Sequence, residues 1–249
     1  MRKVNLIPMA GSGLRFRREE YIIPKPLIPI GDKPMFVRAA EVLPRADLNI
    51  FVCLQTHIKK HYINKTIKYY FPKSRIIILK RKTNGQAITC LKAVKLIKPN
   101  DQLTIGSCDY SMIYNKKTLG AKIKQSDLVV WTFKNKQVVK KNPEMYGYVK
   151  VDKKHNVIKA SCKKTLSKLP WKDHTIIGTF SFKKAKNFIY FTKKLLKNNL
   201  RVNNEFYLDS VVELCVKSGL KVKVNLVDKY FGWGTPLDLK KYISKNYHE

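Results

Sequence analysis

Pro8-Met9-Ala10-Gly11-Ser12-Gly13-Leu14-Arg15-Phe16 follows the apolar run at residues 4–9 without a break. That run reads as a buried strand, and the loop after it can serve a phosphate. Glycines let backbone N–H groups approach phosphate oxygens, and Arg15 adds a fixed cation. It is not a dinucleotide fingerprint, because the third glycine of G-x-G-x-x-G is Phe16 here. It is not a Walker A loop, because no Gly-Lys-Ser/Thr follows. A second stretch, Pro24-Lys25-Pro26-Leu27-Ile28-Pro29-Ile30-Gly31-Asp32-Lys33-Pro34-Met35, lies just downstream. Its prolines stiffen the backbone and hold Lys25 in place, where a lysine can neutralise charge at a reacting phosphate.

Outward from this loop, strands and helices alternate. Residues 33–43, 59–70 and 86–97 read as helices. Residues 49–54, 75–79, 102–106 and 128–133 read as strands, with β-branched RIIIL at 75–79 as the clearest. Such alternation predicts parallel βαβ units. After Met145 the pattern changes: residues 146–151, 157–160 and 175–182 read as antiparallel strands. Helices at 184–197 and 205–218, a strand at 220–227 and a last helix from 236 follow. The expectation is one Rossmann-like α/β domain over residues 1–249. Its sheet is mixed and mainly parallel, flanked by helices, with a smaller antiparallel portion facing the substrate.

The chain has 249 residues, 44% of them hydrophobic, enough for a packed core. No apolar run reaches the ~20 residues that span a bilayer. The five cysteines lie far apart with no Cys-x-x-Cys pair, which suggests reduced thiols and a cytoplasmic location. The net charge is +34, with 42 Lys against 9 Arg. The lysines run from Lys3 to Lys245 and form no single block, and base readout favours arginine, so nucleic acid is not expected as a partner. A positive field would nevertheless draw in triphosphates. His57 and His61 lack a third ligand and read as a solvated helix face. Phe188, Tyr190 and Phe191 read as core.

The two opening motifs together resemble those of the sugar-phosphate nucleotidylyltransferases, the NDP-sugar pyrophosphorylases. Further landmarks come in family order: Asn84-Gly85-Gln86-Ala87, Gly106-Ser107-Cys108-Asp109, Tyr146-Gly147-Tyr148, Ile177-Gly178-Thr179-Phe180, Asn204-Glu205-Phe206 and Gly234-Thr235-Pro236. The resemblance implies an enzyme that joins a nucleoside triphosphate to a sugar phosphate or similar small phosphorylated acceptor and releases pyrophosphate. Residues 1 to about 140 would form a nucleotide-binding half and about 141–249 an acceptor-binding half. Arg15, Lys25 and Asp109 would be catalytic, with Asp109 binding Mg²⁺. Ala10, Gly11, Ser12, Gly13, Gly85 and Gln86 would hold the nucleotide. Gly147, Lys163, Thr179 and Glu205 would hold the acceptor. The resemblance also implies a role in sugar-nucleotide supply for surface polysaccharide, and it is compatible with a homo-oligomer.

Two positions depart from the family pattern. The family commonly has Glu-Lys-Pro where this chain reads Cys162-Lys163-Lys164, and an aspartate as second metal ligand where this chain has Gly232. Asp228 and Asp209 are candidates for the missing carboxylate. Two alternatives follow. One is a nucleotide-sugar-dependent glycosyltransferase, which the absence of Asp-x-Asp at Asp109-Tyr110-Ser111 disfavours. The other is a non-catalytic nucleotide-sugar binder.

Overall fold

The computed structural model describes residues 1–247; the last two residues of the expected 1–249 domain lie outside them. The first half runs β1 (Lys3–Met9), α1 (Leu14–Arg17), β2 (Pro29–Ile30), β3 (Lys33–Pro34), α2 (Met35–Glu41) and β4 (Leu48–Leu54). It continues through α3 (Gln55–His61), α4 (Ile63–Tyr70), β5 (Arg75–Leu79), α5 (Gln86–Leu91) and β6 (Gln102–Ile105). Then come β7 (Tyr110–Ile113), α6 (Lys116–Gln125), β8 (Leu128–Phe133), α7 (Lys136–Val139), β9 (Tyr148–Val151), β10 (Val157–Ser161) and β11 (His174–Phe182). The chain closes with α8 (Ala185–Lys197), α9 (Leu208–Lys217), β12 (Val222–Leu226), β13 (Lys229–Gly232) and α10 (Pro236–Asn246).

The main sheet is mixed, as expected. Its backbone order is β10-β9-β11-β6-β1-β4-β5, with β8 bonded to β11 and β12 bonded to β8. β6, β1, β4 and β5 are mutually parallel. β11 runs antiparallel to β6, β8 and β9, and β9 is antiparallel to β10. Alternation along each strand divides the core into two layers. Val4 and Leu6 of β1 pack toward α5, α8 and α9, and Ile7 and Met9 pack toward α2, α4 and α6. Helix α8 buries Phe188, Phe191, Thr192 and Leu195, the i, i+3, i+4, i+7 stripe that faces a sheet.

Several details differ from the sequence reading. The helix expected at 59–70 is two helices, because Tyr62 takes a left-handed conformation (φ 50°) that ends α3 and opens α4. The helix expected over 86–97 stops at Leu91 and continues as a 3-10 turn at Val94–Leu96. Tyr190 was expected in the core but is 60% exposed, and it lies off the α8 stripe. His57 is buried, not solvated. β7, β13, α6 and α7 were not expected at all. β7 and β13 pair antiparallel across more than a hundred residues of chain, with Gly232 opposite Tyr110. Behind this pair a third core cluster joins Phe16, Ile28, Ile30, Met35 and Ala39 to Trp233 and Leu239. It therefore fastens the opening loop to the end of the chain.

Candidate active site

The carboxyl ends of the parallel strands β1 and β6 open on the same side, where ligands collect in such sheets. β1 delivers residues 10–13, and β6 delivers residues 106–109. The loop turns at Gly13, which adopts φ 62° and caps α1. Pro24 precedes a 3-10 turn at Lys25–Leu27, and the Leu27 N–H bonds the Pro24 carbonyl at 2.8 Å. That stiff turn aims Lys25 at the end of β6.

There the Lys25 Nζ donates to Asp109 Oδ2 at 2.7 Å. Both side chains are about four-fifths shielded, with 22% and 21% of their surface exposed. Ser107 Oγ donates to the other carboxylate oxygen, and the Trp233 N–H donates to the Asp109 carbonyl at 2.8 Å. Burial alone would raise the Asp109 carboxyl. The Lys25 charge and hydrogen bond, the Ser107 bond and the Arg15 charge outweigh it, and the group sits below the usual carboxylate range. Burial likewise pulls the Lys25 ammonium down, and Asp109 more than restores it. Both groups are therefore ionised at neutral pH.

A cavity of about 370 Å³ opens beside this pair. Ala10, Gly11, Ser12, Gly13 and Lys25 line one side, and Gly85, Gln86, Glu205 and Tyr207 contribute to the rest. Gly85 (φ 117°) lies so close to the Phe206 backbone that no Cβ would fit. The Ala87 N–H bonds the Phe206 carbonyl at 3.0 Å, and the Phe206 N–H bonds the Asn84 carbonyl at 2.9 Å. Glu205 is presented by a two-residue turn whose central residues, Asn203 and Asn204, both have positive φ, as asparagine tolerates. The Tyr207 hydroxyl donates to Glu205 Oε2 at 2.5 Å.

The other residues singled out from the sequence are placed differently. Arg15 is exposed; it lines no cavity, but its charge acts on both Lys25 and Asp109. Lys163 Nζ donates to the Met145 carbonyl and stands 5.5 Å from the centre of the Tyr207 ring. Thr179 is fully buried, and its hydroxyl shares a 2.6 Å hydrogen bond with Tyr110 Oη, so it sits behind Tyr110 and away from the cavity wall. Gly147 packs against the Asp209 carboxylate and the Ser161 carbonyl, so closely that a Cβ would collide with both.

Three features escaped the sequence reading. Asp209 has no hydrogen-bond partner among the described residues, and burial raises its carboxyl to about 6, with Lys163 opposing. Its position in the first turn of α9, four residues after Glu205, was the one available signal. Tyr230 stacks on Phe133 at 4.4 Å, and its hydroxyl would lie 3.0 Å from a Cβ at Gly232. A ring thus occupies the space that a side chain at 232 would need. Burial, then the neighbouring Tyr146, Asp109, Tyr110 and Asp238, raises the Tyr230 hydroxyl well above its ordinary value. Finally, His57 keeps an unpartnered Nδ1.

Comparison with solved structures shows the same fold throughout the chain. The nucleoside-diphosphate-sugar pyrophosphorylase of Vibrio cholerae is 16% identical, with TM-score 0.79, over 96% of this chain and 99% of that one. The inositol-1-phosphate CTP transferase of T. maritima is 13% identical, with TM-score 0.71, over 100% and 98%. A UDP-glucose pyrophosphorylase complexed with UDP-glucose is 17% identical, with TM-score 0.73, over 99% and 100%. No curated protein sequence matches the chain. The family described as nucleotidyl transferase matches residues 4–235, nearly the whole length, and the chain belongs to that family.

Proposed function

We propose that the chain condenses a nucleoside triphosphate with a small phosphorylated acceptor, a sugar phosphate or close analogue, and releases pyrophosphate. The observation that carries this reading is the convergence of the residue 10–13 loop, Lys25 and Asp109 on one wall of a cavity edged by Gly85, Gln86 and Glu205. An acceptor phosphate oxygen attacks the α-phosphorus. The bond from that phosphorus to the bridging oxygen breaks in line, and the electron pair leaves on pyrophosphate. Positioning and charge neutralisation account for most of such catalysis. Backbone N–H groups at 11–13 and the Lys25 and Arg15 cations take the phosphate charge. Residues 85 and 86 edge the base, and Glu205, Tyr207 and Lys163 stand on the acceptor side, with Gly147 and Thr179 supporting from behind. The nucleotide half would then span residues 1 to about 140, and the acceptor half about 141–249.

The donor set fits a Mg²⁺ that arrives with the nucleotide. Asp109 supplies one carboxylate, and Mg²⁺ commonly takes one or two together with substrate phosphates and water. No cluster of three His, Cys, Asp or Glu exists among the described residues, so a resident ion held by protein alone does not fit. Bound there, Mg²⁺ would neutralise charge on the triphosphate. All five cysteines are free and buried, which suits a reducing cytoplasm, and among the described residues no helix is long and apolar enough to cross a membrane. Supply of activated sugar for polysaccharide is the role we infer for such a product.

The test is pyrophosphate release. Purified protein with Mg²⁺ is given each common triphosphate and a panel of sugar 1-phosphates and other phosphorylated alcohols. Release that requires both partners is the expected outcome and names base and acceptor together. Binding of a triphosphate or nucleotide-sugar with no release across the panel would favour the non-catalytic reading, which the ring at Tyr230 in place of a second carboxylate leaves open.

A further inference from the structure

A second cavity, of about 360 Å³, lies across the phosphate loop from the first. Gly11, Ser12, Gly13 and Lys25 line both, so loop and lysine form a shared partition. The two chambers differ in chemistry. The first carries Gly85, Gln86, Glu205 and Tyr207. The second carries none of these, and its remaining polar walls are Arg17, Lys60, His57, His61, Thr56 and Tyr21, with no carboxylate. Arg17 and Lys60 are exposed and make no ion pair among the described residues. His57 is only 4% exposed, and its Nδ1 has no partner. A buried polar atom without a partner is costly, which points to a ligand that completes it.

We propose that this second cavity is a polyphosphate site that receives the pyrophosphate end of the nucleotide and holds it as it leaves. The inference rests on the reaction proposed above and adds a direction to it. In-line displacement sends the leaving group away from the attacking oxygen. The acceptor-side residues Glu205 and Tyr207 border only the first chamber, so the departing oxygens move toward the partition and across it. Lys25, at the boundary, can follow the charge. Arg17 and Lys60 on the far wall supply two further cations, and His57 and His61 supply imidazole nitrogens. Arg17 is thus assigned a task separate from that of Arg15, whose charge acts on Asp109.

The experiment is calorimetric titration of the full chain with inorganic pyrophosphate alone, and with orthophosphate as the smaller anion. Arg17→Ala and Lys60→Ala are each expected to weaken pyrophosphate binding about tenfold, and the double variant more. Arg17→Lys should recover part of the loss, and orthophosphate should bind more weakly than pyrophosphate. Both residues are exposed, so the fold is not at stake, and circular dichroism checks it. Lys193→Ala, an exposed lysine on α8, controls for the +34 field and should change nothing. In turnover, the inhibition constant of pyrophosphate and the KM of the triphosphate should rise together in the double variant while the acceptor KM stays. Equal pyrophosphate affinity in wild type and double variant would overturn the assignment, as would an equal loss in Lys193→Ala. If no transfer reaction is found but pyrophosphate still binds through Arg17 and Lys60, the site stands and only the reaction assigned to the protein falls.

Discussion

Lys25 and Asp109 stand 84 residues apart in sequence and 2.7 Å apart in space. Each is the other's counterion until a substrate arrives. The pair divides two roles that single substitutions can separate. Asp109→Asn should lower turnover by at least about 10²-fold with unchanged circular dichroism, and near-normal turnover would remove the carboxylate from the reaction. Lys25→Ala should lower kcat by about 10²-fold or more, the scale of one lost contact to transition-state charge. A rise in KM with kcat intact would return Lys25 to a stiff connector. Asp209 carries a prediction of different sign. Its carboxyl is raised to about 6 by burial, above its unfolded value, so the native state keeps a proton that the unfolded chain has lost. That contribution is fully present below the unfolded value of about 4 and is lost as pH rises through about 6. Asp209→Asn should therefore match wild type in melting temperature near pH 4 and exceed it increasingly up to pH 7. Parallel melting curves across that range would show that the carboxyl is better solvated than its position indicates.

At the scale of elements, the approach of β9 to α9 depends on Gly147, which leaves room for the Asp209 carboxylate and lies near the Ser161 carbonyl. Gly147→Ala should cost about 1–3 kcal/mol through overpacking, read by urea unfolding. Combining it with Asp209→Ala should recover part of that cost, because the two collide directly; simple additivity would place the crowding elsewhere. The same elements show what the sequence could reveal. The β1 loop, the prolines around Lys25 and the RIIIL strand were legible, because each depends on local chemistry: glycine dihedrals, proline stiffness, β-branching. The pairing of β7 with β13 was not legible, because two four-residue strands far apart carry no local periodicity. The break at Tyr62 was missed because a left-handed tyrosine has no sequence signal. His57 looked solvated because helical spacing does not say which face packs on the loop. Lys25 and Asp109 could be named, but their contact could not. The partition between two cavities and the unpaired Asp209 depend on the assembled sheet.

For the whole molecule, the +34 charge sets the long-range field. Raising ionic strength from about 0.05 to 0.5 M should lower kcat/KM for the triphosphate by screening attraction. The same salt should raise the melting temperature, because it also screens self-repulsion. Opposite signs in the two assays would distinguish substrate steering from salt damage to the fold. Chain order has its own consequence, through the third core cluster. Phe16, Ile28 and Met35 are covered by Trp233 and Leu239, and the Trp233 N–H holds the Asp109 carbonyl. The opening motif is translated first but is seated last. A ribosome that stalls before Trp233 releases a chain whose phosphate loop lacks its floor. Partial products of synthesis therefore cannot sequester cellular nucleotide, and the final segment acts as a proofreading step for completed translation.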